Sequence, residues 1–389
     1  MKIFVLLSRF PYPLEKGDKL RAYNQIKYLS ENHEIHLCAL NDAKISNKHL
    51  DALKPFCKSI NVINLTKAGS AWNIIRAFFN GKPLQVGYFF SSSGKKKIHN
   101  LINEIKPDHI FCQLLRVAEY VKDLDIPKTL DYQDVFSKGV ERRIEKSPWY
   151  KKFILKTEYQ RLLNYEEEIF SYFDNLTIIS EPDRELIPHP DRNKIAIVIN
   201  GVDVDFFKPM NIKKEYDLVF IGNMGYPPNI NAAKYLAEKI MPLVHKKLPE
   251  ARLTLAGATP HPDVQALENE KITVTGWMDD IRESYAKAKI FIAPMQIGTG
   301  LQNKLLEAMA MKIPCITSGL ANKALEAIPE KEILVGNSPE EFADHIFRLL
   351  EDDQLSKNLS ENAYKLVHSK YNWDGATKKL EQLIMYPKS

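Results

Sequence analysis

The chain has 389 residues, of which 44% are hydrophobic and 26% are charged, with 16 glycines and 22 prolines. These proportions exclude collagen-like, low-complexity and wholly disordered proteins, and the length predicts two domains or three. The four cysteines are far apart, which disfavours a disulfide framework or a zinc ribbon and favours a reducing compartment. The apolar run at residues 3–7 is too short for a signal peptide or a transmembrane helix. We therefore expect a soluble, cytoplasmic protein.

The excess of positive charge lies in the first half of the sequence. Residues 1–205 contain 31 basic and 26 acidic residues, whereas residues 206–389 contain 23 of each. Residues 44–106 contain 11 basic and two acidic residues, and the stretch 70–97 within them is also rich in aromatic side chains. This composition suits peripheral binding to an anionic membrane surface. A solvated basic face with its aromatic residues in the core explains it equally well, and nucleic acid is disfavoured because no recognition motif is present.

Short apolar runs alternate with amphipathic patterns along almost the whole sequence. The runs that indicate buried strands are residues 3–7, 35–40, 62–65, 109–112, 176–179, 196–199, 218–221, 253–256, 272–274, 290–293, 314–317 and 333–335. The helical patterns include residues 20–30, 149–173, 230–247, 302–311 and 340–351. This alternation predicts parallel sheets with crossover helices, and about a dozen strands are too many for one open sheet. The sequence therefore predicts two doubly wound α/β domains with a boundary near residues 200–214.

Three glycine-containing loops in the second half follow predicted strands, the position at which doubly wound sheets bind ligands. They are IGNMGYPPN at 221–229, AGA at 256–258 and GTGLQNKLLEAMA at 298–310. In the third loop a helix follows the glycines at once, and the free N–H groups of its first turn can bind phosphate. Lys304 can reach a diphosphate, and Glu307 on the same helix face can accept hydrogen bonds from a ribose. The alternative interpretation is a helix start with a neighbouring Lys–Glu pair.

The segment GTGLQNKLLEAMAMKIPCITS at 298–318 resembles the donor-binding signature of family 4 retaining glycosyltransferases of the GT-B fold. Further similar segments are PYP at 11–13 followed by Gly17, VINGVD at 198–203 and GWMDD at 276–280. The resemblance extends over nearly the whole chain. It implies two Rossmann-like doubly wound domains that face each other across a cleft.

The same resemblance implies how the chain is divided. Residues 1–205 would form the acceptor-binding domain and residues 206–372 the nucleotide-sugar-binding domain. Residues 373–389 would form a helix that crosses back to the first domain.

The resemblance also implies the residues of the site. Glu307 would hold the ribose, and Lys304 would stabilise the leaving diphosphate. Gln133 or Asp134 stands where a histidine is common and would hydrogen-bond the transferred sugar, although Asp134 is equally suited to capping a turn. The implied donor-binding residues are Gly17, Asn223, Tyr226, Asn229, Gly257, Gly276, Trp277, Met278, Gly298, Thr299, Gly300, Lys304 and Glu307. The candidates for binding phosphate or the acceptor are Asp18 and Arg21.

Two further departures from the family pattern bear on activity. Thr299 stands where the common form has the first of two glutamates. Asn223, Tyr226 and Asn229 stand where an arginine and a lysine are usual. Lys304 would replace the missing charge, as in a subgroup with the pattern G-x-G-x-x-x-K-x-x-E.

The activity implied is retaining transfer of a sugar from a nucleotide diphosphate sugar to a hydroxyl group of a glycan or lipid-linked glycan, as in surface polysaccharide or glycoconjugate synthesis. Neither a metal nor another cofactor is expected, because fixed cationic groups replace the metal. The departures from the pattern also fit a degenerate glycosyltransferase that acts as a non-catalytic binding or adaptor subunit. A nucleotide-sugar epimerase on the same fold is disfavoured, because the resemblance is to transferases.

Overall fold

A computed structural model of the chain forms two compact α/β units. The structure describes residues 1–14, 16–43, 45–297 and 300–386, without the side chains of Glu145 and Lys146. Unit 1 comprises Met1–Ile199 and Ala376–Ser389, and unit 2 comprises Asn200–Gly375. The sequence-based division falls six residues after the first of these boundaries and three residues before the second.

Strands and helices alternate in both units. The strands of the described residues are β1 (Lys2–Leu7), β2 (Glu34–Asn41), β3 (Ser59–Asn64), β4 (His109–Gln113), β5 (Lys128–Asp131), β6 (Asn175–Ile178), β7 (Ala196–Ile197), β8 (Tyr216–Ile221), β9 (Leu253–Ala256), β10 (Ile272–Val274), β11 (Ala288–Ala293), β12 (Cys315–Thr317) and β13 (Leu334–Val335). The α-helices of unit 1 are α1 (Gly17–Leu29), α2 (Asn47–Asp51), α3 (Lys67–Phe79), α4 (Leu84–Phe89), α5 (Ser92–Ile105), α6 (Phe136–Lys146), α7 (Trp149–Glu168) and α8 (Glu181–Arg184). The α-helices that follow are α9 (Pro227–Tyr235), α10 (Met241–Lys247), α11 (Pro262–Gln265), α12 (Ile281–Ala286), α13 (Asn303–Ala310), α14 (Gly319–Leu325), α15 (Pro339–Glu351), α16 (Asp353–Lys370) and α17 (Trp373–Met385).

The sheet of unit 1 has the strand order β3-β2-β1-β4-β5-β6-β7, and its strand pairs are parallel. Along β1, Phe4 and Leu6 belong to one apolar cluster, whereas Ile3 and Val5 belong to another. Both faces of the sheet are therefore covered, which explains the continuous apolar runs of the sequence. The chain runs outward from β1 to β3 and then returns to β4, so the carboxyl ends of β1 and β4 form a topological switch point.

The sheet of unit 2 has the order β10-β9-β8-β11-β12-β13, again with parallel pairs. Its chain path repeats that of unit 1, because β8 lies centrally and the path reverses between β8 and β11. The equivalent switch point lies at the carboxyl ends of these two strands, and we expect a ligand site there.

The apolar runs identified most strands to within a few residues, but they missed β5. Its sequence, KTLD, begins and ends with charged residues although all four residues are buried. The predicted helix at 149–173 ends as an α-helix at Glu168 and continues as a 3₁₀ turn over Ile169–Tyr172. The predicted helix at 230–247 is interrupted by a π-helical turn over Leu236–Ile240.

The last helix packs onto the core of unit 1. Leu380 and Ile384 of α17 are fully buried in the same apolar cluster as Ile26 of α1. Within the described part of the chain, no helix is both long and apolar enough to span a bilayer.

Candidate functional site

Glycine is required where β8 and β9 end. Gly222 follows β8, and Gly257 follows β9 with a φ of +134°, a conformation that L residues rarely adopt. A Cβ atom at Gly257 would lie 1.9 Å from the Gly222 carbonyl oxygen, and one at Gly222 would lie 2.7 Å from the Asn229 amide nitrogen. These two glycines therefore let the backbone and the Asn229 side chain pack tightly at the switch point of unit 2.

Lys304 of α13 reaches this same place. Its ammonium donates a hydrogen bond of 2.5 Å to Asn229 Oδ1 and lies 4.8 Å from the centre of the Phe220 ring. The Asn229 amide in turn donates to the Asn223 carbonyl oxygen at 2.9 Å. The carboxyl end of β8, the start of α9 and the start of α13 thus meet around one positive charge.

The charge of Lys304 has only neutral contacts of this kind. No carboxylate of the residues that the structure describes lies within ion-pair distance of its ammonium. Part of the residue remains open to solvent, but its charged end is packed among protein atoms. Loss of hydration there lowers the pKa of Lys304 to about 8, and the more distant Glu307 charge opposes the shift. This ammonium is therefore poorly compensated and suited to bind an anion.

Glu307 lies one turn further along α13. Its Oε2 accepts a hydrogen bond of 2.7 Å from the hydroxyl of Tyr285, which lies on α12 and is fully buried. Burial of the carboxyl group raises the pKa of Glu307, although the Tyr285 hydroxyl and Lys304 both oppose the shift. Tyr285 thus fixes the orientation of the carboxylate while Oε1 stays available to a ligand.

The other predicted residues of unit 2 line neighbouring loops. Asn223 Oδ1 accepts hydrogen bonds from the Gly225 amide and the Thr259 hydroxyl, so Asn223 shapes the loop after β8. Tyr226 is exposed immediately before α9. The Gly300 carbonyl accepts a bond of 2.9 Å from the Gln302 side chain, just before α13.

The loop after β10 adjoins the end of β9. Gly276 has a φ of +70°, and its carbonyl oxygen accepts a hydrogen bond from the Gly257 amide. Trp277 is 68% exposed, whereas Met278 is partly buried with its sulfur accepting a bond from the Ser284 hydroxyl. The loop therefore presents a free indole beside the switch point. Gly298 and Thr299 lie outside the described residues.

Arg21 of unit 1 does not have the predicted role. Its side chain is fully buried, and it forms a bidentate ion pair with Asp131 through contacts of 2.6 and 3.2 Å. Its remaining nitrogen donates to the Ile199 carbonyl, and the Thr177 hydroxyl donates to the same Asp131 carboxylate. We correct the sequence-based expectation: this guanidinium is committed to the protein and inaccessible to a phosphate.

The other unit 1 candidates lie near the carboxyl ends of β1, β4 and β5. Gly17 is the exposed first residue of α1, and Asp18 pairs with Arg9 at 3.2 Å. Gln133 is buried with a φ of +60°, an uncommon conformation for a residue with a side chain. Asp134 is exposed, and its Oδ1 accepts a bond of 2.8 Å from the Val135 amide just before α6. This contact has the geometry of a cap.

Three buried partners in these regions were not identified from the sequence. Asp131 compensates Arg21, Tyr285 orients Glu307, and Glu166 of α7 binds the amide and hydroxyl of Ser137 at the start of α6. Each partner lies at least 22 residues from the group that it contacts, so local spacing carries no signal of the contact.

Comparison with known proteins adds three observations. Residues 215–352 match the family Glycosyl transferases group 1. The chain is 24% identical over 400 residues to an uncharacterized 44.6 kDa protein in the cps region of Klebsiella pneumoniae, and the match covers 95% of this chain and 96% of that one. Among solved structures, sucrose-phosphate synthase from Thermosynechococcus elongatus superposes with a TM-score of 0.68 at 15% identity, over 98% of each chain.

Anabaena Alr3699/HepE, solved in complex with UDP and glucose, superposes with a TM-score of 0.69 at 12% identity, over 98% of this chain and 99% of that one. Identities this low establish the fold alone, and the fold is GT-B, with two Rossmann-like parallel-sheet domains. The family match in unit 2 and the GT-B fold of the whole chain together support a glycosyltransferase.

Proposed function

We propose that the protein transfers a sugar from a nucleotide diphosphate sugar to a hydroxyl group of a glycan or lipid-linked glycan, with retention at the anomeric carbon. The observation that carries this proposal is the ammonium of Lys304 at the switch point of unit 2, hydrogen-bonded to the neutral Asn229 side chain. A cation placed in this way, beside a helix start, is suited to a diphosphate.

Each part of the donor has a candidate partner in unit 2. Lys304 would bind the diphosphate, and Glu307, oriented by Tyr285, would accept hydrogen bonds from the ribose hydroxyls. The backbone of the loop at 276–278 would contact the base, with the exposed Trp277 beside it. A solved structure of the same fold supports a donor of this class, because Anabaena HepE has been solved in complex with UDP and glucose.

The acceptor would bind to unit 1. Gln133 and Asp134 follow β5 at the carboxyl edge of its sheet, where a sugar hydroxyl could reach them. TarM from S. aureus, which shares the fold, has been solved in complex with UDP, Fondaparinux and a glycerol-linked GlcNAc, which supports a glycan as acceptor.

The chemical step needs stabilisation of negative charge. When the bond between the sugar and the diphosphate breaks, charge develops on the leaving phosphate oxygen, and a preorganised ammonium is most effective at that moment. The leaving phosphate would take the proton of the acceptor hydroxyl as that oxygen bonds to the anomeric carbon on the same face. With Lys304 supplying the positive charge, we propose that transfer needs no metal.

Calorimetric titration with UDP, GDP and the other nucleoside diphosphates tests the donor site. We expect one nucleotide to bind clearly better than the rest. Glu307→Ala should weaken that binding about tenfold, because a hydrogen bond to a charged group contributes roughly 1.5 kcal/mol. Absence of binding by the folded protein to every nucleotide would contradict the proposal and favour a non-catalytic subunit.

A product assay then distinguishes transfer from other outcomes. The sugar form of the preferred nucleotide is incubated with and without glycan acceptors, and the product is analysed by NMR. A glycoside with the anomeric configuration of the donor supports retaining transfer. A nucleotide sugar epimerised without any acceptor would contradict it, as would an inverted glycoside.

A further inference from the structure

Unit 1 exposes large apolar side chains on two helices. The exposed residues on α3 are Trp72, Ile75, Phe78 and Phe79, and those at the start of α7 are Trp149, Tyr150, Phe153 and Ile154. Trp149 is 84% exposed and Phe79 is 80% exposed, so neither contributes to the core. Monomeric proteins seldom leave so many large apolar residues together without a partner.

On α7 the four residues form a single stripe. Positions 149, 150, 153 and 154 are spaced as i, i+1, i+4 and i+5, which places them on one side of an α-helix. Arg161 follows Ile154 by seven residues, or two turns, and therefore lies on the same side.

Arg161 joins this stripe to α3. Its guanidinium donates a hydrogen bond of 2.7 Å to the Phe78 carbonyl oxygen and lies 5.0 Å from the centre of the Phe78 ring. A second nitrogen is 3.4 Å from the Lys82 carbonyl oxygen. The carboxylate of Glu158, one turn before Arg161, accepts bonds from the amides of Leu84 and Gln85. The exposed residues of both helices thus border one packed junction, and we call them together the apolar–basic surface.

The charges of these segments have one sign. Residues 67–82 contain three basic residues, Lys67, Arg76 and Lys82, and no acidic residue. Residues 147–157 contain Lys151, Lys152 and Lys156, again with no acidic residue. This uniform positive charge opposes the pairing of two copies of the surface, and it is complementary to a layer of anionic groups.

The structure also revises the basic aromatic stretch at 70–97 that the sequence indicated. Its second half is not part of the surface, because Val86 and Phe89 are buried in the core and Tyr88 is partly buried with its hydroxyl bonded to Asp42. Lys95, on another helix, α5, pairs with Asp123. The α3 half remains exposed, and α7 supplies the other half, which the sequence pattern did not indicate.

We infer that the apolar–basic surface docks unit 1 on a lipid bilayer with anionic headgroups. Tryptophan, tyrosine and phenylalanine side chains fit the boundary between headgroups and acyl chains, where an amphipathic helix lies in the plane of the membrane. The flanking lysines and arginine contact the headgroups, each contributing about 1 kcal/mol near an anionic surface. The glycosyl acceptor of the proposed function would then be met at a membrane, but docking itself does not depend on catalysis.

Sedimentation of the full chain with vesicles tests the inference directly. Vesicles of neutral phosphatidylcholine are compared with vesicles that contain about 30% phosphatidylglycerol. We expect binding to the anionic vesicles that weakens as salt is added, since exposed charges are screened. Trp149→Ser with Phe153→Ser should abolish most binding, and Lys151→Gln with Lys152→Gln should reduce it about tenfold or more.

Matched variants control for nonspecific effects. Ile328→Ser with Tyr386→Ser removes exposed apolar side chains elsewhere, and Lys246→Gln with Lys323→Gln removes exposed charge from unit 2. Both should bind vesicles as the unmodified protein does. Circular dichroism confirms that every variant is folded. No substrate is needed, so failure of docking is distinguishable from failure of the proposed function.

A second readout locates the contact. Brominated acyl chains quench tryptophan fluorescence at short range, so the quenching should disappear when Trp72 and Trp149 are both replaced by phenylalanine. Equal binding to neutral and anionic vesicles would overturn the inference, as would binding unaffected by the α7 variants. Absence of vesicle binding together with dimerisation that Trp149→Ser abolishes would instead assign the surface to a second copy of the chain.

Discussion

Arg21 of unit 1 and Lys304 of unit 2 are two cations withdrawn from water near the carboxyl edges of similar sheets, but their surroundings differ. Arg21 is fully buried and makes a bidentate pair with Asp131, which Thr177 also contacts. Lys304 is half-buried and hydrogen-bonds to the amide of Asn229 instead of a carboxylate. The first charge is compensated within the protein, whereas the second is largely uncompensated.

This difference separates a structural charge from a binding charge. A buried cation with its carboxylate holds two elements together, here α1 and β5. A desolvated cation without one has a free energy that improves when an anion arrives, and the lowered pKa of Lys304 expresses that deficit. Burial and charge alone do not distinguish the two roles; the chemical nature of the partner does.

The largest effect is expected from breaking the compensated pair. Asp131→Ala leaves the Arg21 guanidinium buried without its counter-charge and should lower the free energy of unfolding by about 3–5 kcal/mol. Urea denaturation measures this loss. The double variant Arg21→Met with Asp131→Leu removes both charges and should recover most of the stability. A loss below about 1 kcal/mol in Asp131→Ala would show that the pair does not hold α1 in place.

Removing the uncompensated charge should affect activity and leave stability intact. Lys304→Met keeps the length of the side chain and removes the ammonium that would stabilise the leaving diphosphate. Turnover should fall about 10²–10³-fold. The free energy of unfolding should stay equal or rise, because a poorly solvated charge has been removed. Full turnover by the folded variant would refute the assignment.

Giving Lys304 a carboxylate should make it resemble Arg21. Asn229→Asp places a negative charge against the ammonium, raises the pKa of Lys304 and competes with an anionic ligand. Nucleoside diphosphate affinity should fall about tenfold, the equivalent of one pKa unit of interaction. Asn229→Ser, which removes the amide without adding charge, is the control and should weaken affinity less. Equal losses in both variants would indicate that the amide itself, and not electrostatic compensation, is what matters.

The sequence predicted much of this architecture because the information was local. Continuous apolar runs identified the strands of two parallel sheets, and the spacing of Lys304 and Glu307 placed both on one face of α13. Contacts distant in sequence were not accessible in this way. Arg21 and Asp131 are separated by 110 residues, so the arginine looked available for a phosphate until its partner was known.

Exposure was equally inaccessible. The aromatic residues at 86–90 and those of α3 have similar composition, but the first group packs largely into the core and the second does not. The start of α7 was predicted simply as part of a long helix, because the sequence could not show that its aromatic residues lack a covering layer.

The central claim is that Lys304 is the charge that receives the diphosphate, and proton uptake on binding tests it most directly. At pH 8 a group whose pKa is about 8 is half protonated, and an incoming anion favours the charged form. Titration of the preferred nucleotide in buffers of different ionisation enthalpy should show uptake of about half a proton, because phosphate groups with a pKa near 6 are already ionised. Affinity should accordingly decline above pH 8. Tight binding at pH 8 with no proton uptake would contradict the account.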